Sequence, residues 1–171
     1  LSFTRKIKKQ ASLKRLNRKI IKRTFILFLL GLFISLLVYP AYHGFRVAGV
    51  LQRIAIVYFV CSYLFLYTSW KWQFGIGILL LLGYYFMLIF IPVPGFGEPN
   101  LDPMTNLVSW FDSQYLPGML YSENHDPEGI LSTIPSIASG ISGVLIGKAL
   151  MTENTLQKKL SLITWVGLAM I

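Results

Sequence analysis

Long runs of apolar residues dominate the pattern of the chain, and polar or breaker-rich segments separate them. Four of these runs are long enough to be membrane spans, because about 20 helical residues cross the roughly 30 Å hydrocarbon core of a bilayer. The pattern predicts an all-α, polytopic transmembrane helix bundle with no sheet of any size. The predicted spans cover residues 24–39, 47–68, 74–91 and 129–151, and residues 160–171 start a fifth.

Composition supports the same class of protein. Of the 171 residues, 54% are hydrophobic and only 13% are charged, which is about half of the roughly 25% found in soluble domains. These values exclude an ordinary soluble domain. The single cysteine, Cys61, lies in an apolar run and cannot form an intrachain disulfide.

The charges are segregated along the chain, which indicates its topology. Ten of the sixteen basic residues precede Thr24, whereas six of the seven acidic residues lie between Glu98 and Glu128. By the positive-inside rule, residues 1–23 form a basic cytoplasmic segment, and the expected location is the cell inner membrane. Within this segment, Leu13, Leu16 and Ile20 recur at helical spacing, which predicts a short helix lying on the membrane surface.

A basic segment of this kind can also bind nucleic acid. Because a membrane span follows it directly, we expect it to bind anionic membrane lipid instead, and we expect no nucleic-acid partner. Residues 24–171 then form the transmembrane region, with an external loop at about 93–128. A loop of this length that is rich in aromatic residues is more typical of a functional cover than of a linker.

Both ends of the sequence lead us to expect a longer protein. Leu1 is not an initiator methionine, and Ile171 lies within an apolar run. We therefore expect this chain to be an interior piece of a larger helix bundle. The remaining helices of the same protein are its expected partners, and a homodimer is left open.

Arg53 and Gln52 are the most unusual residues in the second predicted span. A fixed cation within a span costs several kcal/mol, so such an arginine usually faces a polar cavity or a partner. Arg53 lies about two helical turns beyond Arg46, and lipid would not satisfy the amide of Gln52. We interpret this helix as one wall of a polar site, with a snorkelling arginine as the alternative.

The fourth predicted span opens with a DPEG sequence that suits a helix start. Asp126 could be the N-cap, Pro127 fits the first helical position, and Glu128 complements the positive end of the helix. Pro135 within the span predicts a kink. The small residues that follow at spacings of three and four, including Gly143 and Gly147, predict close helix packing.

Two sequence stretches resemble a known family. RVAGVLQRIAIVYFV, starting at Arg46, and DPEGILSTIPSIASGISGVLIGKAL, starting at Asp126, are similar to the best motifs of the heparan-alpha-glucosaminide N-acetyltransferase family and its bacterial homologues. The order of the motifs, the acidic loop between them and the basic segment before KRTFILFLLGLFI also fit. The resemblance covers nearly the whole chain.

This resemblance implies a membrane-bound acyltransferase. Such an enzyme would move an acetyl group from cytoplasmic acetyl-CoA, the acyl donor, to an amino sugar on the external side of the membrane. In the family a lumenal histidine near an early span is catalytic, and that span would precede Leu1. Neither His43 nor His125 matches its position, so we expect no catalytic residue in this segment, and we expect no metal site.

The resemblance also implies which residues bind substrate or acyl-CoA. Gln52 and Arg53 match the family's GVLQR motif, Arg46 matches the basic residue before it, and Asp126 and Glu128 match its DPEG motif. Arginine suits a coenzyme A phosphate or an oxyanion, because its planar fork bonds bidentately. The two carboxylates could bind an amine or pair with Arg53, and the sequence leaves both readings open.

Two other functions remain as alternatives. A multi-pass transporter for amino sugars or related small molecules would also need a polar site within the membrane and a kinked helix. In a non-catalytic scaffold, Gln52, Arg53 and Asp126 would only hold helices together. The natural acceptor and the length of the acyl chain stay open.

Overall fold

The chain folds into helices, and a computed structural model describes residues 13–38, 45–122, 125–152 and 155–168. The part of the chain so described contains no strand, and its only extended pairing is an isolated antiparallel bridge between Arg46 and Gly118. The helices are α1 (Leu13–Val38), α2 (Val50–Tyr67), α3 (Trp70–Phe90), α4 (Leu107–Tyr115), α5 (Thr133–Thr152) and α6 (Leu156–Leu168). Four of them, α1, α2, α3 and α5, are long and apolar enough to cross a membrane. The prediction of an all-α bundle with four spans is confirmed.

The basic segment differs from its prediction, because its described part continues directly into the first span. Instead of a separate surface helix, α1 is one helix of 26 residues, about 39 Å long. Leu16 and Ile20 are buried within the protein, and Asn17 Nδ2 donates to the Tyr67 hydroxyl at 2.7 Å. No proline or glycine interrupts residues 13–30, so nothing in the sequence ends the helix there. Residues 1–12 lie outside the described part.

The turn between α2 and α3 is short and closed by side chains. The Thr68 hydroxyl donates to the carbonyl of Leu64 at 2.6 Å. Gln73 Nε2 donates to the same carbonyl at 3.1 Å and to that of Thr68 at 3.0 Å. The Leu64 carbonyl also accepts the backbone N–H of Thr68 at 2.9 Å, so the side chains reinforce the end of α2, and Gln73 gives the Thr68 carbonyl a partner. The two helices have few contacts beyond this turn, because α5 packs against both of them.

The fourth span begins four residues later than predicted. Residues 127–132 form turns, and α5 starts at Thr133. Asp126 is therefore not the N-cap of this helix, because its carboxylate binds elsewhere in the fold. Pro135 lies in the first turn of α5, where a helix needs no backbone N–H donor. The kink predicted at this proline therefore does not arise within the span.

Helices α2 and α5 pack closely at one glycine. A Cβ atom on Gly140 would lie 2.6 Å from Val57 Cγ1 and 2.8 Å from Cys61 Sγ. Farther along the same helix, Gly143 and Gly147 have no neighbour within 4 Å of such an atom. The predicted packing by small residues is therefore confirmed at Gly140, but Gly143 and Gly147 border open space. Because α2 also contacts α1 and α5 also contacts α3, the spatial order is α1, α2, α5, α3.

The loop between α3 and α5 folds back over the start of α2. It contains α4, whose N-cap Asn106 accepts a hydrogen bond from the backbone N–H of Ser109 at 3.0 Å. Beyond α4, Met119 donates its backbone N–H to the carbonyl of Phe45 at 2.9 Å. Gly118 has a φ of 90°, and a Cβ there would lie 2.1 Å from the Phe45 oxygen. Glycine is therefore required where the loop meets the segment before α2.

Candidate functional site

A buried ion-pair cluster joins the segment before α2 to the turn before α5. Arg46 Nε and Nη2 donate to the two oxygens of Asp126 at 3.1 and 2.8 Å. The same Nη2 donates to Glu128 Oε2 at 2.6 Å. Bidentate pairing of this kind is the strongest form of arginine–carboxylate contact. We call Arg46, Asp126 and Glu128 the arginine–carboxylate cluster.

Asp126 is the central acceptor of this cluster. It is completely buried, and besides Arg46 it accepts the backbone N–H groups of Tyr121 at 3.1 Å and Glu128 at 2.9 Å. Four donors thus share its two oxygens. A buried carboxylate needs such compensation for its lost hydration. This arrangement explains why Asp126 does not cap α5.

The position of Arg46 is fixed by contacts of its backbone as well as by those of its charged side chain. Ser35 Oγ donates to its carbonyl at 2.5 Å, and the Tyr121 ring centroid lies 5.2 Å from its Cζ. Burial opposes the charge on this side chain, but the hydrogen bonds and charges of Asp126 and Glu128 outweigh burial and raise the pKa of Arg46 above its ordinary value. The guanidinium is therefore positive at every pH at which the protein is folded.

Arg53 binds uncharged oxygens and not a carboxylate. Its Nη2 donates to the carbonyl of Pro127 and to Ser132 Oγ, the latter at 2.6 Å. The predicted placement of Arg53 inside the bundle agrees with these protein contacts, and snorkelling into the headgroups does not. The sequence left open whether Arg53 pairs with Asp126 or Glu128. In the structure, Arg46 pairs with these carboxylates instead. Arg53 instead ties α2 to the turn formed by residues 127–132.

Gln52 lies in a close contact with two glycines. Its side chain is buried, and a Cβ on Gly31 or Gly49 would come within 2.5 or 2.6 Å of its Oε1 atom. Its Nε2 atom is buried and has no hydrogen-bond partner. Gln52 thus faces protein and not lipid, as expected for a polar group within a span.

Asp112 is a site residue that the sequence did not reveal. Its side chain is fully buried in α4, and its Oδ1 accepts the backbone N–H of Ile130 at 2.9 Å, while its Oδ2 has no partner. Burial raises the pKa of this carboxyl, and the charge of Asp126 adds to the rise. The one feature of the sequence that could have indicated its burial is its position four residues after Val108, on the same face of the helix.

The position of Asp112 depends on Gly129. A Cβ on Gly129 would lie 1.7 Å from Asp112 Oδ2, so only glycine fits there. Asp112 therefore supports the turn that carries Asp126 and Glu128.

His125 forms a side-chain contact within the loop. Its Nδ1 lies 3.0 Å from Ser109 Oγ, and that hydroxyl donates to the carbonyl of Pro103 at 2.5 Å. Because the Ser109 proton is used in this way, Nδ1 of His125 is the donor to the hydroxyl. Ser109 is fully buried, so this pair holds the loop and does not form a nucleophile. His43 lies outside the described residues.

Two cavities meet at Arg53, which lines both of them. The first, the inter-helix groove, has a volume of about 630 Å³ and lies between α2 and α5. The second, the loop-side cavity, has a volume of about 430 Å³ and lies beneath the loop. Beyond Arg53, the cations along the groove are Arg23 of α1 and Lys148 of α5. The walls of the groove include Ile54, Val57, Tyr58, Cys61, Phe65 and Val144.

The structure brings all five predicted site residues into one region. Three form the arginine–carboxylate cluster, Arg53 binds the adjacent turn, and Gln52 and Glu128 line the loop-side cavity. Within the described ranges, no three His, Cys, Asp or Glu side chains are grouped so that they could hold a metal ion. The arrangement can bind anions at Arg53 and cations at Glu128. No family model matches this chain, and no curated protein is significantly similar to it.

Proposed function

We propose that this protein is part of a membrane-bound acyltransferase that moves an acetyl group from cytoplasmic acetyl-CoA to an amino sugar on the external side. The main support is the inter-helix groove, which has one cation at one end and two toward the other. An acyl-CoA has a matching form, with anionic phosphates joined to a long, mostly uncharged arm. The resemblance to the heparan-alpha-glucosaminide N-acetyltransferase family supports the same activity.

In this proposal the phosphates lie near Arg23 and Lys148, and the thioester lies near Arg53. The interval from Arg53 to Phe65 along α2 is about 18 Å at the helical rise of 1.5 Å per residue. The walls between are mostly apolar, and Gly143 and Gly147 leave the groove open. Arginine and lysine both bind phosphate, which favours this orientation at the end where the basic helix α1 begins.

The transfer step uses the charge of Arg53. The amine nitrogen of the acceptor attacks the thioester carbonyl carbon, so a C–N bond forms while the C–S bond breaks. The electrons of that bond leave with coenzyme A, and the amine proton passes to a base, a role that the resemblance assigns to the lumenal histidine of the family. Arg53 stabilises the oxyanion that develops on the carbonyl oxygen, and such stabilisation is commonly a large part of catalysis.

The experiment measures acetyl transfer in membrane vesicles that contain the full-length protein. Radiolabelled acetyl-CoA is supplied on the cytoplasmic side and an amino sugar on the other. Gly143→Leu and Gly147→Leu would fill the groove, and we expect each to raise the KM for acetyl-CoA at least about tenfold, a change that corresponds to about 1.4 kcal/mol. Gly83→Leu is the matched control, since Gly83 also has no neighbour within 4 Å and lines neither cavity.

The same vesicles separate this function from transport. Wild-type vesicles that accumulate amino sugar but acetylate no amine would contradict the enzyme and support the transporter. An unchanged KM in both groove-filling variants, at matched expression, would instead remove acetyl-CoA from the inter-helix groove.

A further inference from the structure

The loop-side cavity has no role in the binding of acetyl-CoA described above. It lies on the other side of the contact between α2 and α5 and shares only Arg53 with the inter-helix groove. Its walls are mostly apolar and include Phe28, Val47, Ile56, Leu116, Ile134 and Ile137. The chemistry of these walls therefore limits what the cavity can bind.

The polar groups in these walls are mostly engaged already. Thr133 Oγ1 donates to the carbonyl of Gly129 at 2.8 Å, and Arg53 Nη2 is used by two oxygens of the following turn. Among the described residues of the wall, two donors have no partner, Gln52 Nε2 and Arg53 Nε, and they are fewer than the several hydroxyls of a sugar ring would need. Because a polar group buried without a partner weakens binding, a free sugar is a poor occupant, whereas an apolar chain is a good one.

Two charged side chains line the cavity, Arg53, whose Nη2 binds the 127–132 turn, and Glu128. The arginine–carboxylate cluster contains two carboxylates and one arginine, so it has a surplus negative charge. Asp126 is fully buried and accepts four hydrogen bonds, whereas the Glu128 side chain is 17% exposed and lines the cavity. The surplus charge is therefore accessible at Glu128, where it complements an ammonium group.

We propose that the loop-side cavity binds a lipid-borne amine, with the apolar chain among the isoleucines and the amine at Glu128. This inference rests on the proposed function in one respect, which is that the bound amine is the acceptor of the acetyl group. The acceptor is then an amphiphile from the membrane and not a free amino sugar. Arg53 lines both cavities, so the amine and the thioester would meet beside it.

Binding is tested first, without acetyl-CoA. The full-length protein in phosphatidylcholine nanodiscs is photolabelled with a dodecylamine that carries a diazirine in its chain. We expect labelled peptides from residues 47–56 and 130–137. A dodecanol probe of the same design should label them at least about tenfold less, and Glu128→Gln should remove that difference between the probes. Each additional buried methylene should strengthen binding about fourfold.

A matched pair of variants controls for folding. Ile56→Trp fills the cavity, and Ile78→Trp adds the same side chain on α3, at a position with the same exposure of 41% that lines neither cavity. We expect labelling by the amine probe to fall at least tenfold only in Ile56→Trp, with both variants melting at the wild-type temperature. Equal labelling in the two variants, or labelling outside these peptides, would overturn the inference.

The transfer assay then separates this inference from the proposed function. We expect the kcat/KM for octyl glucosaminide to exceed that for glucosamine at least tenfold. Equal values would overturn the amphiphilic acceptor while the acyltransferase stands. Labelling of the cavity by the amine probe, without acetyl transfer to either compound, would support the binding site and contradict the proposed function.

Discussion

Arg46 and Asp126 lie 80 residues apart in the sequence and form a buried bidentate pair, with N–O distances of 3.1 and 2.8 Å. This pair fastens the loop between α3 and α5 to the start of α2. Glu128 shares the same guanidinium. The cluster is thus the main polar link between the two motifs that define the candidate site.

Removal of Arg46 should destabilise the protein strongly. Arg46→Met leaves Asp126 buried and unpaired, which typically costs about 3–5 kcal/mol. Thermal unfolding in detergent would measure this loss. Arg18→Met is the control, because Arg18 is exposed and its replacement should change stability by less than about 1 kcal/mol. Equal melting temperatures for the two variants would show that the pair does not stabilise the fold.

The Gly129→Ala variant should also be destabilised, for a steric reason. The new methyl group would overlap Asp112 Oδ2, and forced packing of this kind costs about 1–3 kcal/mol. Gly83→Ala places a methyl group where nothing lies within 4 Å and should be neutral or stabilising. A double variant, Gly129→Ala with Asp112→Ser, should recover part of the loss in the same melting assay. If it does not, the overlap is not the cause.

Stability should depend on pH through Asp112. Burial raises its pKa above the ordinary value of 3.8, so the folded protein binds this proton more tightly than the unfolded chain. The stability that results is complete below pH 3.8 and is lost as the pH rises through the raised pKa. The wild-type melting temperature should therefore fall over that range relative to Asp112→Asn, which cannot ionise. Parallel curves as the pH rises above 3.8 would contradict this assignment.

Replacement of Arg53 should distinguish the effect of its positive charge on turnover from the effect of its planar guanidinium. Arg53→Lys keeps the charge but loses the planar fork. If Arg53 stabilises the oxyanion, kcat should fall by about 10²-fold or more, in the range seen when a single oxyanion donor is removed. Arg53→Met should lower it further. Acetyl transfer in vesicles at matched expression measures both, and normal turnover by Arg53→Met would remove this residue from the active site.

The orientation predicted from charge can be tested by cysteine labelling. In a Cys61→Ser background, Lys14→Cys should react with an impermeant maleimide only from the cytoplasmic side, and Glu98→Cys only from the external side. Both positions are exposed. Reaction of both from one side would overturn the topology.

The spans were predictable because each depends on a local property, the length of an apolar run. The proximity of the site residues to one another was also predictable, since charges within or beside membrane spans need partners. The identity of those partners was not. The sequence left open whether Arg53 pairs with a carboxylate, and in the structure a carbonyl and a hydroxyl of the 127–132 turn accept its hydrogen bonds instead.

The start of α5 shows the limit of local rules. The DPEG sequence has the composition of a helix cap, but Asp126 forms a stronger charged contact with a residue 80 positions away. Asp112 was missed for a related reason. Its burial follows from the fold of the loop over Gly129, and the helical spacing of α4 alone does not indicate what that face contacts.

The separation of Arg46 from Asp126 also affects how the protein is made. Translation proceeds at about 5–20 residues per second, so roughly 4–16 s pass between the synthesis of Arg46 and that of its partner. Helices α1, α2 and α3 leave the ribosome during this interval, while the arginine has no acid to bind and must keep its hydration at the membrane surface. Closure of the loop is therefore a late step in biogenesis. A chain that stops before residue 126 should expose this arginine to quality control.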